Sequence, residues 1–455
     1  MIDKIDAYIE EHKDRFIESL RDFLTIPCIS TDSTRAEAMA QGAQWVKDRL
    51  TESGIEAEIV PTEGHPAVLA DTGPVEGGPT VLVYGHYDVQ PQGDLSLWNS
   101  PPFEPTVREG KLFARGAADD KGQVLTHVIA AAAWLKVAGK LPVRVKYIIE
   151  GEEEIGSPHL GGLIQQHRDR LACDYVVISD TAKLNEDVPA ITYGTKGMVY
   201  KEIILTGPSN DLHSGSFGGT VCNPGNALAF ILAGLKDGDQ RVTIPGFYED
   251  VQTIGAEELK SLESLPFDEA SYLASLGAPA LAGEAGYSTL QRRWVRPTLD
   301  VNGLYGGFMG EGSSTIIPAK VGAKVSMRIV PDQDPEKISQ AFDRAVRALC
   351  PKGVRLEILD HAVAAAYVCP IDNPGIKAGM AAVEAGFGKK PALIREGGTL
   401  PILPMFRQVL GAESIMMGFC VPNCNAHGPN EFLAISDFVS GIRTSAHFFH
   451  EMARI

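Results

Sequence analysis

Short apolar runs alternate with helical stretches from residue 80 onward, and that order of elements leaves few ways to fold. A strand over 81–84 is followed by a helix from about Gly122 to Leu135. Next come a second strand (VRVKYII, 143–149), a helical stretch, and a third strand (YVVIS, 175–179). ALI (392–394) and SIMMG (414–418) continue the series further along the chain. Strands joined through helices run parallel, and both faces of such a sheet are covered. The expected class is therefore α/β, a mostly parallel mixed sheet with helices on both faces. Ligands of such sheets bind just beyond the carboxyl ends of the strands.

Polar groups follow those strand ends. GHYDVQP puts His86 and Asp88 after the first strand, and EGEEEIGS puts Glu152, Glu153 and Glu154 after the second. Ser179 and Asp180 follow the third, REGGTLP (395–401) follows ALI, and the loop NCNAHGPNE with His427 follows SIMMG. ARGAADDKG adds Asp119 and Asp120 just before the long helix. Five strand ends thus deliver polar groups to what is expected to be one edge. Taken singly, each has a plainer reading: a His-X-Asp is commonly a core histidine and a cap, a Glu triplet a solvated face, and DDKG a turn. Taken together they do not. Several carboxylates on one partly buried edge repel one another unless cations neutralise them. Two histidines and three carboxylates suit two zinc-like ions sharing one carboxylate, roughly 3.5 to 4 Å apart.

Length and charge set the remaining bounds. At 455 residues the chain exceeds one ordinary hydrophobic core, so two domains are expected. Between about 197 and 368 the pattern changes to an alternating strand MVYKEIILTG, a helix opened by Asn223 and Pro224, a strand AKVSMRIVP and a helix over 335–349. This reads as an inserted, smaller α+β module, 197–368, within a domain formed by 1–196 and 369–455. The stretch 250–290 has helical pieces with no assigned place. A net charge of -17 without a basic cluster argues against nucleic acid or an anionic membrane as partner. The first 24 residues, with Ile2, Ile5, Ile9, Phe16, Leu20 and Leu24 at helical spacing, read as an amphipathic helix and not as a signal peptide, and no apolar run is long enough to span a membrane. Seven scattered cysteines, at 28, 173, 222, 350, 369, 420 and 424, suit reduced thiols and a cytoplasmic location. Cys420 and Cys424, four apart without a second pair, are weak evidence for a separate zinc site.

The ordered set GHYDVQP, LFARGAADDKG, EGEEEIGS, SDT, DLHSG and NAHGPNE resembles metallopeptidase family 20, which includes carnosinase, carboxypeptidase G and succinyl-diaminopimelate desuccinylase. WNSPPFEP and REGGTLP are most similar to its cytosolic non-specific dipeptidase branch. The similarity covers nearly the whole chain. It implies a zinc-peptidase-like catalytic domain with an inserted ferredoxin-like lid and dimerisation domain. It also implies two divalent ions, Zn or Mn: His86 and Asp180 on one, Glu154 and His427 on the other, Asp119 on both. Asp88 would orient His86 through its second ring nitrogen. The Glu triplet admits two registers for base and ligand, and the family pattern favours Glu153 as general base with Glu154 as ligand. A cis peptide between Asp119 and Asp120 is implied as well.

By the same resemblance, His213 of DLHSG stabilises the oxyanion of the neighbouring subunit's site in a homodimer. Arg328, with Gly397, Gly398 and Thr399, meets the substrate's terminal carboxylate, and Thr315 and Asn302 occupy matching lid positions. The expected activity is hydrolysis of the amide bond of dipeptides, or of related substrates with a free C-terminal carboxylate, by a metal-activated water and Glu153. An N-acyl amino acid deacylase or desuccinylase is the alternative on the same fold. An inactive metal-binding homologue is a remote one. A serine or cysteine hydrolase is disfavoured, because no G-x-S-x-G elbow is present and no cysteine stands beside a plausible base.

Overall fold

The structure is a computed structural model that describes residues 1–455. The chain forms two compact units. The first comprises Met1–Tyr193, Cys369–Ile394 and Ile402–Ile455, and the second Gly194–Val368 together with Arg395–Pro401. The insertion thus begins three residues before the expected 197, and it recruits the REGGTLP segment, which sequence order had assigned to the catalytic edge.

Four parallel strands form the centre of the first unit's sheet, in the order Arg144–Glu150, Thr80–His86, Tyr175–Ile178 and Glu413–Gly418. Antiparallel neighbours flank them: Ala67–Asp71 and then Glu56–Val60 on one side, Ala190–Thr195 on the other. Every residue from Val81 to His86 is buried. Since successive side chains point to opposite faces, both faces of this strand are covered. The helix Lys121–Ala138 is buried almost all round, which fits its lack of a polar stripe, and it packs against the helix Ile435–Met452. At the amino terminus the single expected helix is two, Ile2–Glu11 and Lys13–Leu24, parted at His12, where the backbone leaves helical geometry (φ -110°, ψ 10°). The apolar stripe nevertheless lands as the spacing predicts, with Ile5, Ile9, Phe16, Leu20 and Leu24 buried.

The second unit is built on a four-stranded antiparallel sheet in the order Thr298–Gly306, Lys320–Ile329, Gly197–Thr206, Arg355–Ala364. Helices Pro224–Ala233 and Pro335–Leu349 follow the first and third strands in chain order, giving the β-α-β-β-α-β succession of a split βαβ motif. Both helices start as their sequences dictate, with Asn223 and Asp334 accepting N–H groups of the first turn and a proline following each cap. Val199, Ile203, Leu205, Val325 and Met327 from the sheet pack with Leu228, Ile231, Ile338 and Phe342 from the helices. The stretch without an expected place holds three helices, Ala256–Glu263, Glu269–Leu276 and Thr289–Trp294, the last opened by a reciprocal Ser288–Gln291 capping box.

Candidate metal centre

The three parallel strands ending at His86, Glu150 and Ile178 bring His86, the Glu triplet and Asp180 to one edge of the first unit. A glycine before His86 is required by the close approach there: a Cβ on Gly85 would lie 2.6 Å from Asp120 Oδ2 and 2.4 Å from Val124 Cγ2. Two groups of donor atoms result, His86, Asp119 and Asp180 in one and Asp119, Glu154 and His427 in the other, the atoms of each lying within 4.8 Å of one another. Asp119 belongs to both. Its two oxygens face different histidines, Oδ1 at 3.2 Å from His86 Nε2 and Oδ2 at 3.0 Å from His427 Nε2. The peptide between Asp119 and Asp120 is cis.

The donor set fits metal ions. His86 is fully buried, and its Nε2 has no hydrogen-bond partner although carboxylate oxygens of Asp119 and Asp180 lie at 3.2 and 3.8 Å. A buried imidazole nitrogen without a hydrogen bond, set among carboxylates, is placed to ligate a cation. Protonation preferences agree. Burial, joined by the charge of Asp119, pushes the Asp180 carboxyl up to about 7. Hydrogen bonds to Asp119 and Glu154 raise His427 to about 10. Burial opposes charge on His86, but Asp119 and Asp88 outweigh it and raise its proton affinity well above the usual range. The cluster is short of positive charge, and one His with two carboxylates per group is a set that Zn²⁺ or Mn²⁺ accepts.

Surrounding residues hold the donors in place. His86 Nδ1 lies 3.0 Å from the backbone carbonyl of Asp88 and 3.3 Å from its Oδ1, so the main chain is the nearer acceptor and the carboxylate stands behind it. The Asp88 carboxylate instead accepts the N–H groups of Glu153 and Glu154, at 3.3 and 3.1 Å. Neighbours also distinguish the members of the triplet. Glu152 turns away to His159 Nδ1 (2.8 Å) and the N–H of His65 (3.0 Å). Glu154 accepts the backbone N–H of Gln90 at 3.1 Å and its side-chain amide at 2.7 Å, with His427 Nε2 at 3.3 Å. Glu153 joins neither donor group. Burial, then the like charges of Asp180, Asp119 and Glu154, raise its proton affinity well above that of a free carboxyl, against the opposing pull of His86.

The sequence reading assigned no role to the residue that ties the edge together. Glu431, fully buried, accepts the N–H groups of Ala118 (2.9 Å), Asp119 (3.1 Å) and Gly116 (2.9 Å) and pairs with Arg115 at 2.7 Å. One carboxylate thereby fastens the loop of the shared Asp119 to the loop of His427. His427 itself has φ +63°, as do its neighbours Asn425 and Asn430 within a few degrees, a left-handed conformation uncommon for such residues and concentrated at functional loops. Glu431, Arg115 and Gln90 all lie inside the quoted motifs, so the signal was present; nothing in residue type alone separates a clamp from a ligand.

The remaining expected residues lie in the second unit. His213 accepts the N–H groups of Gly215 (3.0 Å) and Ser216 (3.3 Å) on Nδ1, capping the short helix Ser214–Phe217. Thr315 stands beside it, its carbonyl accepting the N–H of Ser214 at 2.9 Å. Asn302 sits at the register shift between Val301 and Gly303, exposed on an edge strand of the four-stranded sheet. Arg328 donates to Thr399 Oγ1 at 2.7 Å. The N–H of Gly397, expected to face an anion, is taken by the carboxylate of Glu396 at 2.6 Å, which leaves Gly398 and Thr399 with Arg328.

Comparison with known proteins gives this arrangement a family. The model of "Peptidase family M20/M25/M40" matches residues 82–451. The chain is 32% identical to the Cys-Gly metallodipeptidase dug1 of Schizosaccharomyces pombe, over all of this chain and 99% of that protein. It is 30% identical to the Beta-Ala-His dipeptidase of Homo sapiens, over all of this chain and 93% of that one. Among solved structures, an M20 family metallo-carboxypeptidase, Sso-CP2 from Sulfolobus solfataricus, superposes with a TM-score of 0.86 at 32% identity, covering 97% of this chain and 99% of that one. Human carnosine dipeptidase 1 gives a TM-score of 0.85 at 30% identity, covering 100% and 99%. With a family model matching most of its length and full-length relatives at this identity, the chain belongs to peptidase family M20/M25/M40.

Proposed function

We propose that the protein is a dinuclear metallo-dipeptidase that hydrolyses the amide bond of dipeptides with a free C-terminal carboxylate. The observation that carries this reading is the pair of His-and-carboxylate groups sharing Asp119, with the carboxyl of Glu153 in their electrostatic field. His86 and Asp180 would hold one divalent ion, Glu154 and His427 the other, and Asp119 both. Bound Zn²⁺ or Mn²⁺ supplies Lewis acidity, polarising the amide carbonyl and favouring ionisation of water near pH 7. Glu153 takes the proton of the attacking water and returns it to the leaving amine. Its proton affinity, raised by burial, suits a group that must accept a proton.

His213 accepts two N–H groups on Nδ1, so the ring proton rests on Nε2, ready to donate to an oxyanion. We assign it that role across a homodimer. The edge strand Thr298–Gly306 supports such an assembly, with Val301 and Leu304 exposed on an unpaired sheet edge. Arg328 with Thr399 takes the substrate carboxylate. All seven cysteines are free and no helix is long and apolar enough to cross a membrane, which supports a cytoplasmic enzyme.

A panel of dipeptides, β-alanyl dipeptides and N-acyl amino acids, offered to metal-reconstituted protein, tests the proposal. Dipeptides should be cleaved, chelation should abolish the activity, and Mn²⁺ or Zn²⁺ should restore it. Turnover in demonstrably metal-free protein, or cleavage confined to N-acyl amino acids, would sink it.

A further inference from the structure

Within the second unit, a cavity of about 330 Å³ is lined by Lys196, Arg292, Arg293, Asp300, Arg328 and Gly397 among others. It lies at the lower end of ligand-cavity sizes, room for one amino-acid residue more than for a long peptide. Cations predominate on its wall. Arg296 is committed to Glu284 at 2.8 Å, but Lys196, Arg292, Arg293 and Arg328 form no ion pair with any carboxylate. The acids near them are Asp300, which is exposed, and Glu396, one of whose oxygens is occupied by the Gly397 N–H.

Lys196 is the unusual member. The residue is 2% exposed, and its ammonium makes one hydrogen bond, to the carbonyl of Arg292 at 2.9 Å. An ammonium has three donors, so two are left without a protein acceptor. Burial and the positive charge of Arg328 push its pKa down to about 7. Arg328 for its part makes one side-chain hydrogen bond, to Thr399. A single substrate carboxylate answers the need of Arg328. A second acceptor in the same cavity answers that of Lys196.

We infer that this cavity selects dipeptides whose C-terminal residue is acidic, with Arg328 and Thr399 holding the main-chain carboxylate and Lys196 the side-chain carboxylate of Asp or Glu. The inference rests on the assignment of Arg328 and Thr399 as the carboxylate site. Ala-Glu against Ala-Gln, and Ala-Asp against Ala-Asn, test it, because each pair differs in charge and hardly in shape. The kcat/KM ratio of acid to amide should be roughly 10- to 100-fold, the range expected for a charge-assisted hydrogen bond in a buried site. Lys196→Met should bring the ratio towards one, and Lys196→Arg, which restores the charge, should recover most of it. A wild-type ratio near one overturns the inference, and so does a ratio that survives Lys196→Met. Calorimetric binding of free glutamate and glutamine to the full chain and to Lys196→Met gives the same comparison without turnover. Should no dipeptide be cleaved, the proposed function fails, while the binding difference still decides the role of Lys196.

Discussion

The acidic edge of the first unit and the cationic cavity of the second solve opposite problems with unequal equipment. In the first, burial and like charges raise Asp180 to about 7. In the second, burial and a neighbouring cation lower Lys196 to the same value. Each region concentrates one sign of charge that the protein does not neutralise. The acidic donors are held by dedicated partners: Gln90 on Glu154, Asp88 on the turn of Glu153 and Glu154, Glu431 on the loop of Asp119. Lys196 and Arg328 have one side-chain hydrogen bond each. Donors that must meet two ions together tolerate little play, whereas a side chain that meets a changing substrate profits from some freedom.

The sharpest test of this contrast lies within the triplet. Glu153→Gln should lower kcat by about 10²- to 10⁴-fold while elemental analysis still finds both ions, because it removes a proton carrier and not a ligand. Glu154→Gln should lower metal content. The reverse pattern would break the comparison at its strongest point. Next in size is Glu431→Ala, which strands Arg115 and three N–H groups in the interior; urea unfolding should show a loss of about 3 to 5 kcal/mol. Glu396→Ala, removing a half-exposed acceptor from the second unit, should cost less than about 1 kcal/mol. Equal losses would mean that both regions are equally braced.

Arg328→Met should reduce the preference for a dipeptide over its C-terminal amide by roughly 10- to 100-fold, read in kcat/KM and carried mainly by KM. A loss shared equally by both substrates would remove Arg328 from carboxylate recognition. The last test concerns His127, fully buried in the first unit against Ser179, whose pKa burial lowers to about 3. The fold keeps this ring neutral, so between pH 6.5 and 3 the unfolded chain binds the extra proton and stability rises with pH, its full contribution present above 6.5. From pH 8 to pH 5 the wild type should lose about 2 kcal/mol more than His127→Gln in urea titrations. Parallel titrations of the two proteins would show that the ring is protonated in the fold.

How much of this was legible in sequence follows from the same contrast. The acidic edge could be read because its residues come immediately after strands whose apolar runs declare them: VLVYGH, VRVKYII and YVVIS. The triplet admits two registers, of which the family pattern favours Glu153 with Glu154; contacts across the fold, Glu152 with His159 and Glu154 with Gln90, tell its members apart. The insertion was readable as a change of period, whereas its second segment was not. REGGTLP follows a strand-like run as the other candidate loops do, and its packing with the second unit depends on partners such as Glu258 for Arg395 and Arg328 for Thr399. The cationic cavity had no signature at all. Its arginines and lysines are spread over more than a hundred residues, from Lys196 to Arg328, and any of them alone reads as a solvated charge.

Glu431 also sets a timetable. It lies 312 positions beyond Asp119, so on a ribosome adding about 5 to 20 residues per second, the loop of the shared carboxylate waits on the order of 15 to 60 s for its clamp. The second unit's core residues, Val199 to Val346, emerge uninterrupted within that interval and need nothing synthesised later to pack against one another. The nascent chain therefore passes through a stage in which the second unit can have its core while the first still lacks the central strand Glu413–Gly418 and the helix Ile435–Met452. The two donor groups around Asp119 are thus complete only when the segment bearing His427 and Glu431 arrives, near the end of synthesis.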